Sequence, residues 1–219
     1  MVYILIVLPL VLILCYHFYP FLQVGPTCGM YAIVEAANIN SRNILKKQRK
    51  ASRLIHEAIA HKLTNVGEIF SIDAMEKIIN CYNSIFPEDA VSHELVLFHS
   101  KNELKNILDK NEIVIFPYKA KTYLHYGVLI KTQNGYKMYD GIRGYYRNVD
   151  IEYLYNRHKL LGKTFSWEGY MKKKTFELKH FITNPRLYLF IERCHKNENL
   201  TGTVHYGVKY MAISIRKEC

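Results

Sequence analysis

A glutamine, a glycine-proline bend and a cysteine stand close together in "LQVGPTCGMYA", Leu22 to Ala32. A thiol attacks a carbonyl carbon only as a thiolate, and the positive end of a helix or a nearby imidazolium favours that form. Cys28 has the first by position. Gly25 and Pro26 break the chain, and Met30, Ile33, Val34 and Ala37 then recur at three- and four-residue steps, which predicts a helix over Cys28 to Ala37. Acyl transfer at this sulfur also needs a donor for the developing oxyanion. The Gln23 side chain, folded back by the bend, and the backbone N–H of Cys28 would supply one.

The base must come from elsewhere in the chain, because a cysteine nucleophile and its histidine meet in space rather than in sequence. His125 opens the apolar run "LHYGVLIK", so its ring is expected at the end of a strand, facing a cleft. "YKMYD" follows across Gln133-Asn134-Gly135, a strong hairpin signal, and brings Asp140 level with His125 as the group that orients the imidazole. His205 stands in a second "HYGV" and is the rival base. It is less favoured because no Asp follows at hairpin distance.

"QVGPTCGMYA", "LHYGVLI" and "YDG" together resemble the papain-like cysteine peptidases, closest to the actin maturation protease group, with the bacteriocin-processing peptidases as a more distant likeness. The resemblance implies Cys28 as nucleophile, His125 as base, Gln23 as oxyanion donor and Asp140 as orienter, with no cofactor and no metal. It also implies a papain-like α+β fold. Beyond about residue 145 no motif of the group is matched.

Thirty basic against nineteen acidic residues give a net charge of +11, which favours an acidic partner. Charge alone does not choose among nucleic acid, an anionic membrane surface and an acidic polypeptide; no nucleic-acid motif surrounds the basic residues, and the resemblance and the charge together imply an acidic protein or peptide substrate, such as the acidic N-terminus of actin. The five cysteines are scattered, without a C-x-x-C pair, and the ten histidines show no ligand spacing, so neither a disulfide framework nor a metal site is expected. Enrichment in Tyr, Ile, Asn and Lys resembles proteins of AT-rich genomes, those of large insect DNA viruses among them. Two rival readings use the same sequence differently: a catalytically inactive, peptidase-like membrane scaffold, and a basic binder of nucleic acid or anionic membrane.

The N-terminus "MVYILIVLPLVLILCYHFYPFL" runs about twenty residues without a charged side chain other than His17, close to the length that crosses a bilayer. Residues 1–22 are therefore expected to be a single-pass membrane anchor, and residues 23–219 one domain. Arg42, Lys46 and Lys47 follow the run while nothing basic precedes it, which places the domain on the cytosolic side.

The elements that must hold the four site residues follow from periodicity. Asn43 to Leu63 predicts a second, amphipathic helix, Ile72 to Tyr82 a third, and Ser100 with Glu103 a capping box opening a fourth that reaches Leu108. "EIVIFPYK", "LHYGVLIK" and "YKMYD" predict consecutive strands, with more at Leu187 to Glu192 and Val208 to Arg216. The fold class is α+β, helices first and an antiparallel sheet after.

Overall fold

The computed structural model describes residues 21–120, 123–167, 178–198 and 200–217. Three helices come first: α1 (Cys28–Ala37), α2 (Ile44–Ala60) and α3 (Ile72–Ile85). Polar side chains start the second and third. Asn43 accepts from the Lys46 N–H at 2.9 Å, and Ser71 from the Ala74 N–H at 3.1 Å, satisfying donors that the first turn of a helix leaves open. Ala51, Leu54, Ile55 and Ala58 of α2 and Met75, Ile78, Ile79 and Tyr82 of α3 are buried against α1, whose own residues from Gly29 to Ala37 are all buried.

β1 (Val91–Leu97) and α4 (Lys101–Lys110) lead into β2 (Ile113–Ala120), β3 (Tyr123–Thr132), β4 (Gly135–Asp140) and β5 (Tyr145–Val149). After α5 (Ile151–Lys159) come β6 (Thr164–Ser166), α6 (Leu178–Thr183), α7 (Pro185–Asn197), β7 (Thr203–His205) and β8 (Met211–Lys217). Six strands form one antiparallel sheet in the order β1-β8-β2-β3-β4-β5, and β6 pairs with β7 separately.

Strand β2 shows why its sequence reads as an unbroken apolar run. Ile113 and Ile115 face the cluster built on α1, α2 and α3, while Val114, Phe116 and Tyr118 face a second cluster with Leu104 and Leu108 of α4 and Leu154 of α5. Side chains alternate across a strand, so a strand covered on both faces has no polar positions to show.

The predicted elements around the site agree closely: α1 has the expected bounds, α2 starts one residue later, with Asn43 as its cap, and ends three earlier, α3 runs three residues further, and β2, β3 and β4 fall where the runs place them to within a residue. The Ser100 capping box forms with a shift. Ser100 accepts from the Glu103 N–H at 3.2 Å, but the Glu103 carboxylate reaches the His99 N–H at 2.8 Å.

Three expectations are corrected or bounded. Leu187 to Glu192, expected as a strand, lies inside α7. Pro185 sits in its first turn, Asn184 accepts from the Leu187 N–H at 3.1 Å, and Leu187, Ile191 and His195 make an inward stripe at steps of four residues. The expected anchor falls on residues 1–20, outside the described residues, but its last two residues belong to the domain: Phe21 and Leu22 are buried, and the Phe21 ring packs against Tyr31 and Tyr139. Among the described residues no helix is long and apolar enough to cross a membrane. β1 was not expected at all, because as an edge strand paired only to β8 it keeps mixed, half-exposed residues.

Candidate active site

Gly25 takes a positive φ of 65°, a conformation that costs glycine little, and Pro26 follows, turning the chain into α1. Thr27 occupies the N-cap but does not cap: its hydroxyl donates to the Val24 carbonyl at 2.6 Å, and no side chain caps α1. The first helical bond runs from the Tyr31 N–H to the Thr27 carbonyl, so the N–H groups of Cys28, Gly29 and Met30 precede the ladder and keep the positive end of α1 open. Cys28 sits there as a free, partly exposed thiol. The wall beside it is close-packed. A Cβ on Gly29 would stand 2.5 Å from Ile69 Cδ1, and one on Gly67 would stand 2.4 Å from Thr27 Cγ2.

The hairpin delivers the histidine and the aspartate. Gly127 of β3 pairs with Asp140 of β4, and His125 lies two residues earlier on the same face, with no side chain at 127 between them. His125 Nε2 and Asp140 Oδ1 are 3.1 Å apart, and both residues are nine-tenths buried or more. Asp140 is fixed in turn: Oδ1 also accepts from the Ile142 N–H at 2.9 Å, and its carbonyl accepts from Gly144 N–H at 2.7 Å. The Tyr118 ring stands edge-on to the His125 ring at 5.3 Å and 86°, holding its plane from the facing strand.

Electrostatics ties these groups to the sulfur. Burial works against a charged His125 ring, but charge and a hydrogen bond from Cys28, with a hydrogen bond and charge from Asp140, outweigh it and raise the pKa to about 9. With Nε2 on Asp140, Nδ1 is the nitrogen left for the thiol. The Asp140 carboxyl is held below its ordinary value, since the His125 hydrogen bond and charge, the Ile142 N–H and Arg143 together overcome the opposing effect of burial.

Gln23 completes the group. Its backbone N–H donates to the Gly141 carbonyl at 2.9 Å, and its Nε2 donates to the Gly25 carbonyl at 3.0 Å, which leaves the second Nε2 hydrogen for an oxyanion. Oε1 is buried without a hydrogen-bond partner among the described residues, pressed towards Gly141, where a Cβ would come within 2.8 Å.

Gln23, Cys28, His125 and Asp140, expected together from the sequence, thus converge. His205 does not join them: it is exposed at the end of β7, paired in register with Thr164 of the small sheet. Tyr118 and Gly141 were not expected; only the position of Gly141 immediately after Asp140 could have pointed to it. Among the described residues no group of three His, Cys, Asp or Glu could hold a metal ion.

The elements and site define an α+β protein with a cysteine, histidine and aspartate gathered where a helix start meets a hairpin end. Residues 18–125 match the family model of the actin maturation protease-like C-terminal domain, a span that contains Gln23 and Cys28, ends on His125 and stops short of Asp140. Residues 18–125 are therefore similar to this domain of the actin maturation protease group, a similarity that favours a peptidase-related function. No curated protein and no solved structure matches the chain.

Proposed function

We propose that this chain is a cysteine-type peptidase of the papain-like kind, hydrolysing an amide bond in a protein or peptide. The observation that carries the reading is the 3.1 Å contact between His125 and Asp140 on a ring that Cys28 also charges, at the open end of α1.

In this mechanism the Cys28 thiolate attacks the amide carbon, and the carbonyl oxygen takes the electron pair. The Cys28 N–H and the second Nε2 hydrogen of Gln23 hold that oxyanion. The imidazolium of His125 gives its proton to the leaving nitrogen, the C–N bond breaks, and an amine departs from the thioester. His125 then takes a proton from water, whose oxygen attacks the thioester carbon; the acid is released and the thiolate returns. Asp140 keeps the ring turned and favours its charged form throughout.

The net charge of +11 suits an acidic substrate, and an acidic N-terminus such as that of actin is the candidate that charge and family similarity share. The test is labelling of the full chain by an electrophilic thiol probe, followed by cleavage of acidic N-terminal peptides. Labelling and cleavage lost together in Cys28→Ala support the reading; cleavage that survives in Cys28→Ala overturns it.

A further inference from the structure

Helix α2 divides its charge by face. On the inner face Lys47 pairs with Glu35 at 2.8 Å and Lys50 pairs with Asp89, all within the fold. On the outer face Arg42 just before the helix, then Lys46, Arg49, Arg53 and His56, are all exposed, at steps of four, three, four and three residues. That spacing puts them in one stripe, about 15 Å long from Lys46 to His56. Among the described residues none of Arg42, Lys46, Arg49 or Arg53 forms an ion pair with an acid. Glu57, four residues after Arg53, borders the stripe and faces His61 at 3.8 Å.

One neighbour shows what this stripe meets. It is α7, whose Phe190 ring stacks on His56 at 3.9 Å. Its exposed positions Arg186, Leu189 and Arg193 mix cations with an apolar side chain, and Phe181 and Ile182 nearby are exposed too.

We propose that the outer face of α2 rests on an anionic lipid surface, with Arg42, Lys46, Arg49 and Arg53 against the headgroups. Exposed cations without an acid partner among the described residues, Arg53 lying over the Phe86 ring at 5.5 Å, with exposed apolar side chains of α6 and α7 beside them, match the two needs of a bilayer interface: charge for the headgroups and hydrocarbon for the acyl boundary. Phosphates of a nucleic acid would use the cations but not the apolar side chains. This surface is distinct from the cysteine site and does not depend on its chemistry.

The test is flotation of the full chain with vesicles of phosphatidylcholine alone and of phosphatidylcholine with phosphatidylserine. Partition is expected to favour the phosphatidylserine vesicles about tenfold, and to lose that preference as salt is raised. The Arg42→Glu/Lys46→Glu/Arg49→Glu/Arg53→Glu variant is expected to keep its partition to neutral vesicles and lose the preference, while Lys101→Glu/Lys105→Glu on α4 keeps it. Equal partition of the native chain to both vesicles overturns the proposal, whether or not the charge-reversed variant folds. So does a salt-sensitive affinity for duplex DNA or RNA that the four reversals abolish without touching vesicle binding.

Discussion

At the scale of single residues, the site stands on contacts that each make a measurable claim. Burial is the largest influence on the His125 ring and favours its neutral form, so the rise to about 9 is owed to Cys28 and Asp140. In Asp140→Asn the pKa, followed by NMR of the ring, should fall from about 9, and in Cys28→Ser it should fall as well. A ring that titrates unchanged in both variants would show that neither neighbour charges it. Gly141 makes a different claim. With a Cβ placed 2.8 Å from Gln23 Oε1, Gly141→Ala must push the Gln23 amide aside. On the proposed mechanism cleavage should then slow by about ten- to a hundredfold, while the Cys28 thiol still alkylates, because the proposed oxyanion donor moves and the proposed nucleophile does not. Gln23, Cys28, His125 and Asp140 could be singled out in the sequence, and their convergence anticipated, because residue type and local spacing fit the chemistry proposed for them. Tyr118 and Gly141 could not, since one acts through the plane of a ring and the other through an absent side chain, and neither leaves a mark in composition.

At the scale of elements, periodicity served where one pattern had one meaning. α2 alternates buried and exposed residues at helical spacing, and β3 and β4 flank an Asn-Gly turn in which Gly135 adopts a φ of 123°. "LYLFIE" had two meanings: a short apolar run fits a strand or one face of a helix, and Asn184-Pro185 settles it as a helix start. That start can be tested by itself. Asn184→Ala removes the acceptor of the Leu187 N–H and should cost about 1 kcal/mol in urea unfolding. No loss on substitution would mean that Pro185 and the packing of Leu187 and Ile191 set the helix alone. The edge strand β1 marks the opposite limit, where one-sided pairing leaves no clean alternation to find.

At the scale of the whole molecule, three buried titrations shape stability from opposite sides. His125 has a folded pKa of about 9 against an ordinary 6.5, so its contribution is complete below pH 6.5 and is lost as pH rises through 9. His158 behaves in reverse. Its Nδ1 faces the Pro117 carbonyl at 2.8 Å and its Nε2 accepts from the Tyr210 N–H at 2.8 Å, which requires a neutral ring, and burial first of all lowers its pKa from 6.5. That contribution is complete above pH 6.5 and is lost as pH falls below it. Asp140, with its pKa lowered from 3.8, adds a further loss at lower pH still. Denaturant unfolding across pH should therefore place maximal stability near pH 6.5, with a falling limb on each side. The two limbs have different owners, so they separate by substitution. Cys28→Ser, which removes the charge that raises His125, should flatten the alkaline limb and leave the acid limb in place. An alkaline limb unchanged in Cys28→Ser would mean that the sulfur and the imidazole do not share charge in the folded chain.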